Sequence, residues 1–277
     1  MHYPEIDRII FSIGPLDVHW YGLAYLAAFA CCWLLGRWQM EHRVAGWSRE
    51  QLSDLVFYGA AGAVLGGRLG YTLFYATEQL VRDPLFLLRI WEGGMSVHGG
   101  FIGALTALWV FGRRKSGKDS LQVTDFVAPL VPIGLGLGRL GNFANTELPG
   151  RATDAAWGLI YPCAAVRDIN PVCTGHWETF ARHPSSLYQA FAEGLVLFAL
   201  VWLVAARPRG VGVVSGVFAV GYGALRFVTE YFREPDAHIG YIAAGWFTMG
   251  QLLSLPLIIV GILLVYSGRK TAPDPNG

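Results

Sequence analysis

Residues 134–151 read GLGLGRLGNFANTELPGR and combine two features that seldom occur together. The first half is apolar and rich in glycine, as in a membrane helix, yet it contains Arg139. The second half is polar and ends in another arginine, Arg151. A permanent charge inside a membrane segment is costly, so it usually faces the protein interior or a cavity and commonly has a function. The stretch therefore indicates a membrane helix that ends in a polar site.

The composition of the whole chain also indicates a membrane protein. Of the 277 residues, 53% are hydrophobic and 15% are charged, which is more apolar than an ordinary globular domain. The net charge of +1 gives no indication of a nucleic-acid partner, and we predict none. The N-terminus lacks the features of a cleaved secretory signal, so we expect it to be retained. The polar C-terminus, residues 271–277, is predicted to be disordered.

Seven stretches approach the ~20 residues that a helix needs to cross a bilayer. We predict membrane helices at about residues 19–36, 55–76, 95–111, 126–142, 186–206, 211–231 and 245–266. The fourth is the least regular, because Pro129 and Pro132 fall inside it. The predicted fold class is an all-α integral membrane protein with seven transmembrane helices in a single polytopic domain, residues 1–277.

The lysines and arginines of the loops predict the orientation. If the N-terminus is outside, all three lysines lie in inner segments, and the outer segments hold only scattered arginines, as the positive-inside rule expects. This N-out, C-in topology gives an external arm (1–18), an external segment between helices four and five (143–185) and a cytoplasmic tail (268–277). A connection as long as 143–185 is usually functional. It contains Cys163 and Cys173, which are either bonded in an oxidising compartment or free.

Three arginines fall at one depth of the predicted membrane. Arg68, Arg139 and Arg226 lie on helices that run from inside to outside. At 1.5 Å per residue, each lies roughly 20 Å up a hydrocarbon core of about 30 Å. Glu193, on the fifth helix, is placed about 10 Å below the outer surface by the same count. Tyr21 and His98 lie near the outer ends of their helices, so a polar layer near the outer headgroups is predicted.

The sixth helix presents four polar side chains on one face. Tyr222, Arg226, Glu230 and Arg233 are spaced at i, i+4, i+8 and i+11, and Glu230 is placed to bridge both arginines. The structural alternatives are a buried ion pair that fixes helix packing, or arginines that extend to the interface. Three arginines at one depth, with a histidine and two carboxylates, favour a functional cavity.

This set of side chains suits the binding of a phosphate. A guanidinium group is always charged and its fork matches phosphate oxygens, while Asn142, Asn145 and Tyr21 can form neutral hydrogen bonds. His98 is the candidate base, because its proton affinity is nearest neutrality. The chain has no HExxH motif and no His/Cys ligand spacing, so we predict no metal and no cofactor. A serine hydrolase is not supported either, because GxSxG is absent.

The motifs resemble those of a known family. GRLGNFANTELPGR, residues 138–151, is similar to the signature of the prolipoprotein diacylglyceryl transferases. Five further motifs accompany this signature in the family's order over nearly the whole chain. HWYGLAY, GGRLGY and SVHGGFIG precede it, and RHPSSLYQ and RFVTEYFREPD follow it. Residues 161–181, which include the cysteine pair, are not anchored by a motif.

The resemblance implies an enzyme of the bacterial inner membrane whose active site faces the periplasm. It would transfer the diacylglyceryl group of phosphatidylglycerol to the lipobox cysteine thiol of a prolipoprotein, with glycerol 1-phosphate as the other product. The expected partners are phosphatidylglycerol, prolipoprotein signal peptides and the bilayer. The alternative is a phospholipid carrier or scramblase, but the inner halves of the fourth and sixth helices contain no charges that would continue a headgroup path.

The motif positions and the polar layer together give the predicted site. The candidate catalytic residues are His98, Arg139 and Arg226. The candidate substrate-binding residues are Tyr21, Arg68, Asn142, Asn145, Glu147, Gly150, Tyr222, Glu230 and Arg233.

Overall fold

A computed structural model describes residues 1–14, 16–167, 169, 173, 175–235 and 240–270. The chain forms two compact units. The first unit comprises Met1–Cys32 and Ala128–Gly277, and the second unit is Trp33–Val127. The predicted polar C-terminus, residues 271–277, lies outside the described residues.

Most of the described chain is helical. The α-helices are α1 (Trp20–His42), α2 (Arg49–Phe74), α3 (Thr77–Arg82), α4 (Val97–Phe111), α5 (Ser120–Val127), α6 (Val131–Ala144), α7 (Cys163–Val166), α8 (Ser185–Gln189), α9 (Leu197–Ala205), α10 (Val213–Thr229) and α11 (Met249–Lys270). Short 3₁₀ helices cover Pro84–Leu88 and Ile90–Glu92, and π-helices cover Gly112–Ser116 and Ala190–Val196. Strands β1 (Ile9–Ile13) and β2 (Leu16–His19) form an antiparallel hairpin in the predicted N-terminal arm, so the fold is not purely α.

Each of the seven predicted spans coincides with helical structure. Among the described residues, Ser185–Ala205 and Met249–Gly268 are long and apolar enough to cross a bilayer, and α5 with α6 makes a third candidate if the pair forms one broken span. This break, just before Pro132, is where the sequence is least regular. A helical membrane protein is confirmed, whereas seven crossings, their orientation and the periplasmic location of 143–185 stay predictions.

In the second unit, glycines bring α2 and α4 into backbone contact. A Cβ atom on Gly66 would lie 2.4 Å from the Gly99 carbonyl oxygen and 2.7 Å from the Gly103 Cα. No side chain fits between helices at that distance. The glycine runs of these two helices therefore serve close packing rather than space for a bulky guest.

In the first unit, α6 packs closely on the helical stretch 185–205. A Cβ atom on Gly136 would lie 3.0 Å from the Cα of Gly194. Leu197 and Val201, one to two turns further on, are buried against Val214 of α10. This packing holds α6, the π-helix Ala190–Val196 and α10 side by side, and each of the three contributes a charged side chain to the site described below.

The 143–185 segment is tied to the N-terminus of the chain. The Tyr3 amide donates to the Ile160 carbonyl at 2.9 Å, the Tyr3 hydroxyl donates to the Phe143 carbonyl at 2.6 Å, and its ring stacks on Tyr161. Burial raises the pKa of Tyr3 to about 12, so this donor stays protonated at neutral pH. The cysteine pair that the sequence left open is a disulfide in the structure.

Candidate active site

Glu193 is the centre of the charged cluster in the first unit. Its side chain is fully buried, and its Oε2 accepts from both Nε and Nη2 of Arg139 at 3.3 Å. Its Oε1 accepts from Nη1 of Arg226 at 3.5 Å and from the Thr229 hydroxyl at 3.3 Å. One carboxylate is thus shared between arginines of α6 and α10, so Arg139, Arg226 and Glu193 of the predicted polar layer are neighbours.

Glu230 extends the cluster. Its Oε2 lies 3.0 Å from Nη2 of Arg226, and its Oε1 accepts from Nη1 of Arg233 at 3.2 Å. The predicted bridge between two arginines is therefore present. We call this set the arginine–glutamate chain; its members are Arg139, Glu193, Arg226, Glu230 and Arg233.

Burial differs between the two kinds of side chain in this set. The carboxylates are 0% and 2% exposed, whereas Arg139, Arg226 and Arg233 are 19%, 14% and 11% exposed. The arginine side chains of the arginine–glutamate chain are therefore partly accessible, whereas both carboxylates are buried. Guanidinium groups in a site of low polarity favour an anion with several acceptor oxygens.

A second polar cluster surrounds Glu147. Its Oε2 accepts from the Tyr21 hydroxyl at 2.8 Å and from the Asn142 amide at 2.9 Å, and Asn142 also donates to the Tyr21 hydroxyl. The Asn145 amide donates to Oε1 at 3.4 Å. These four residues, the polar rim, include three that the sequence proposed as neutral hydrogen-bonding groups.

The turn that carries the polar rim is held by the beginning of α8. The Ser186 hydroxyl donates to the Glu147 carbonyl at 3.0 Å, and the Ser185 hydroxyl donates to the Leu148 carbonyl at 2.6 Å. Thr146 and Leu148 have positive φ angles of 58° and 54°, which costs free energy in residues other than glycine. The two serine contacts stabilise this strained turn.

Gly150 lies where no side chain can be accommodated. An added Cβ would be 2.5 Å from the carbonyl oxygens of His183 and Phe232, because the Gly150 backbone bridges to Arg233 and its amide donates to His183. Gly150 therefore allows its own segment to pack against the backbone at His183 and at Phe232. This contact connects the polar rim to the end of α10.

Two predicted site residues, Arg68 and His98, lie in the second unit. Arg68, in the second unit, is 1% exposed and donates only to backbone carbonyls in the described residues, those of Phe86, Leu87, Arg89, Gly93 and Gly94. The predicted substrate contact of Arg68 has no support in this geometry. His98, also in the second unit, is exposed and is the second residue of α4, whose N-terminus is capped by Ser96.

The sequence placed Glu193 in the polar layer but did not propose it as a site residue. A lone carboxylate in the apolar stretch AFAEGLVLF was sufficient signal, because such a group is rarely buried without partners. Tyr222 was predicted and lies one turn before Arg226, close enough to Glu193, Arg226 and Arg139 for electrostatic interaction. Ser186 and Thr229 fall within the motifs RHPSSLYQ and RFVTEYFREPD, but neither was proposed as a site residue, because both are common polar residues near helix ends.

Buried carboxylates paired with partly exposed arginines, in a helical membrane protein, form a candidate internal anion-binding site. The family model described as prolipoprotein diacylglyceryl transferase matches residues 8–267. The chain belongs to the prolipoprotein diacylglyceryl transferase family.

Curated relatives agree with this family. The phosphatidylglycerol–prolipoprotein diacylglyceryl transferase of Legionella pneumophila strain Corby is 51% identical, over 96% of this chain and 99% of the relative. Proteins of the same name from Ectopseudomonas mendocina and Xanthomonas euvesicatoria are 49% and 52% identical, over 98% and 96% of this chain and 97% and 92% of the relatives.

Proposed function

We propose that this protein transfers the diacylglyceryl group of phosphatidylglycerol to the lipobox cysteine thiol of a prolipoprotein, in the inner membrane of a bacterium and on its periplasmic side. The observation that carries the proposal is the arginine–glutamate chain, together with membership of the family. Arg139 and Arg226 share one buried carboxylate at 3.3–3.5 Å, and guanidinium groups on partly exposed side chains suit the phosphate of the lipid headgroup.

In the reaction, the thiolate sulfur attacks the carbon of the diacylglycerol backbone that bears the phosphate oxygen, and not the headgroup glycerol. A C–S thioether bond forms, the C–O bond to phosphate breaks, and its electron pair stays on the phosphate oxygen of the released glycerol 1-phosphate. Negative charge thus moves from sulfur to phosphate. Fixed guanidinium groups stabilise the charge that develops there without reorganisation, which is the largest catalytic term in many enzymes.

The remaining first-unit residues support these two arginines. Glu230 and Arg233 extend the ion-pair network of Arg226, and Tyr222 lies on the same face of α10. The polar rim, with Gly150, holds the turn that follows α6 and so fixes the end of the helix that carries Arg139. Tyr21 and Asn142 also offer neutral hydrogen bonds at the rim.

His98 enters the proposal on its sequence motif alone, as the group that accepts the thiol proton. A thiol whose pKa is lowered by cations would ionise without a base, so the two hypotheses differ in their pH dependence. We expect His98→Gln to lower the rate at neutral pH and to leave a rate that rises steeply with pH. A His98→Gln enzyme with the wild-type rate and pH profile would remove His98 from the mechanism.

The test of the proposed function uses the purified protein, phosphatidylglycerol and a lipobox peptide in detergent micelles. The peptide is expected to gain the mass of one diacylglyceryl group, with equimolar release of glycerol phosphate. A peptide with serine in place of cysteine is the control and should stay unmodified. Transfer of lipid between vesicles, with an unmodified cysteine peptide, would contradict the transferase and indicate a carrier.

A further inference from the structure

Gln189 is a buried amide without a protein partner. It is the last residue of α8, its exposure is 0%, and neither its amide nitrogen nor its amide oxygen has a hydrogen-bond partner among the described residues. Buried side-chain amides are almost always hydrogen-bonded, because an unpaired donor or acceptor loses its hydration without compensation. An amide with both atoms unpaired therefore points to a missing ligand.

The position of Gln189 places this amide between the two polar clusters of the site. Ser186, Gln189 and Glu193 are spaced at i, i+3 and i+7, so they share one face of the 185–205 helix. On that face the Ser186 hydroxyl donates to the polar rim, at the Glu147 carbonyl. Glu193, one turn beyond Gln189, accepts from Arg139 and Arg226.

The packing of α6 next to Gln189 supports the same location. A Cβ atom on Gly136 of α6 would lie 3.4 Å from the Ala190 carbonyl oxygen, so α6 contacts the residue that directly follows Gln189. Arg139 lies three residues beyond Gly136, about one turn nearer the polar rim. The unpaired amide is thus within about one helical turn of the proposed phosphate site.

We propose, on the basis of the proposed function, that Gln189 binds the terminal glycerol hydroxyls of the phosphatidylglycerol headgroup while Arg139 and Arg226 bind its phosphate. A vicinal diol both donates and accepts hydrogen bonds, which matches an amide that offers one group of each kind. An ammonium headgroup offers only donors, and a bare phosphate offers mainly acceptors. Gln189 is therefore a specificity-determining residue for the headgroup that leaves as glycerol phosphate.

The consequence is a headgroup preference that depends on one side chain. A site built to hydrogen-bond a substrate hydroxyl rejects an analogue that lacks the hydroxyl, because the buried polar group is then left unpaired. Gln189→Met removes both polar atoms and keeps the approximate length of the side chain. The variant should lose its advantage for the diol headgroup and keep the reaction itself.

The experiment compares phosphatidylglycerol with phosphatidylpropanol, whose headgroup has no hydroxyls, as donors to a lipobox peptide. For Gln189→Met we expect kcat/KM with phosphatidylglycerol to fall about tenfold or more, chiefly through KM. The value with phosphatidylpropanol should stay within about threefold, so the preference between the lipids collapses. Gln251→Met is the matched control, since Gln251 is also fully buried but its amide contacts Thr248 and Phe227; its lipid preference should be that of the wild type.

The outcomes separate the two proposals. If Gln189→Met lowers the activity with both lipids by the same factor, Gln189 has only a structural role and this inference is overturned. If the wild-type protein transfers neither lipid, the proposed function fails, and the role of Gln189 fails with it. Should Gln189→Met not fold, Gln189→Glu replaces it: this variant loses the donor, and an unchanged preference for the diol lipid would overturn the inference.

Discussion

The buried arginines of this protein fall into two kinds. Arg68 of the second unit is 1% exposed and donates to five backbone carbonyls. Arg139 and Arg226 of the first unit are 19% and 14% exposed and share one carboxylate at 3.3–3.5 Å. All three come from similar glycine-rich surroundings in the sequence.

The difference shows what a buried arginine is available to do. Every nitrogen of the Arg68 guanidinium already donates to a carbonyl of residues 86–94, so this side chain fastens a loop to α2. Arg139 and Arg226 are held by carboxylates instead: Glu193 serves both cations at 3.3–3.5 Å and so compensates each only loosely, and Arg226 also pairs with Glu230 at 3.0 Å. A loosely compensated and partly exposed guanidinium group can gain a phosphate partner without breaking a structural contact.

The largest loss of activity is expected when either of the two arginines that share Glu193 is replaced by lysine. Arg139→Lys and Arg226→Lys keep the charge but lose the planar fork, so each should lower kcat of diacylglyceryl transfer by about 10²- to 10³-fold, as the loss of a transition-state donor does. Single-turnover transfer to a lipobox peptide measures this. Arg37→Lys, at an exposed pair with Glu41, is the control with charge conserved. Near-normal kcat in both variants would remove the distinction between the two kinds of arginine.

The second effect concerns stability rather than rate. Arg68→Met leaves the carbonyls of residues 86–94 without a donor, and we expect a loss of about 3 kcal/mol or more in the free energy of unfolding of the second unit. Thermal unfolding in detergent measures it, and kcat per folded molecule should change far less than in Arg139→Lys. An unchanged melting temperature together with a strongly reduced kcat would show that Arg68 belongs with the catalytic arginines after all.

The sequence predicted one kind of arginine better than the other, for a physical reason. Helical rise is constant, so counting residues along the predicted helices placed Arg139, Arg226 and Glu193 at one depth, and in the structure the three side chains are in contact. The same count placed Arg68 in that layer. Its backbone partners could not be predicted, because the irregular loop 84–94 has no period from which the positions of its carbonyls follow. Gln189 was missed because a polar residue near a helix end looks ordinary until its lack of partners is known.

A fourth arginine, Arg182, sharpens the comparison within one unit. Arg182 is 4% exposed, pairs with Glu178 through two nitrogens at 3.2 Å and also donates to the Gly150 carbonyl and to Glu234. It resembles Arg68 in having its donors occupied, but it belongs to the same unit as Arg139 and Arg226. We expect Arg182→Lys to lower the free energy of unfolding by about 1–3 kcal/mol and to change kcat only slightly.

The effect of Arg182→Lys is measured by limited proteolysis of the 143–185 segment, together with kcat of the same variant. Faster cleavage with nearly normal kcat would support the division into structural and catalytic arginines. Intact protection together with a loss of activity comparable to that of Arg139→Lys would contradict it.

The smallest expected effect is a pH dependence next to Arg182. His183 is partly buried, and burial lowers the pKa of its imidazole below the ordinary value of 6.5. Because the unfolded chain then binds the proton more tightly, the contribution of His183 to stability is complete above pH ~6.5 and is lost as the pH falls through the lower folded pKa. Arginines do not titrate in this range, so Arg182 does not contribute to this pH dependence of stability, whereas His183 does. Thermal midpoints measured from pH 5 to 8 should rise with pH more steeply in the wild type than in His183→Gln, and an equal or opposite slope would show that burial does not control this histidine.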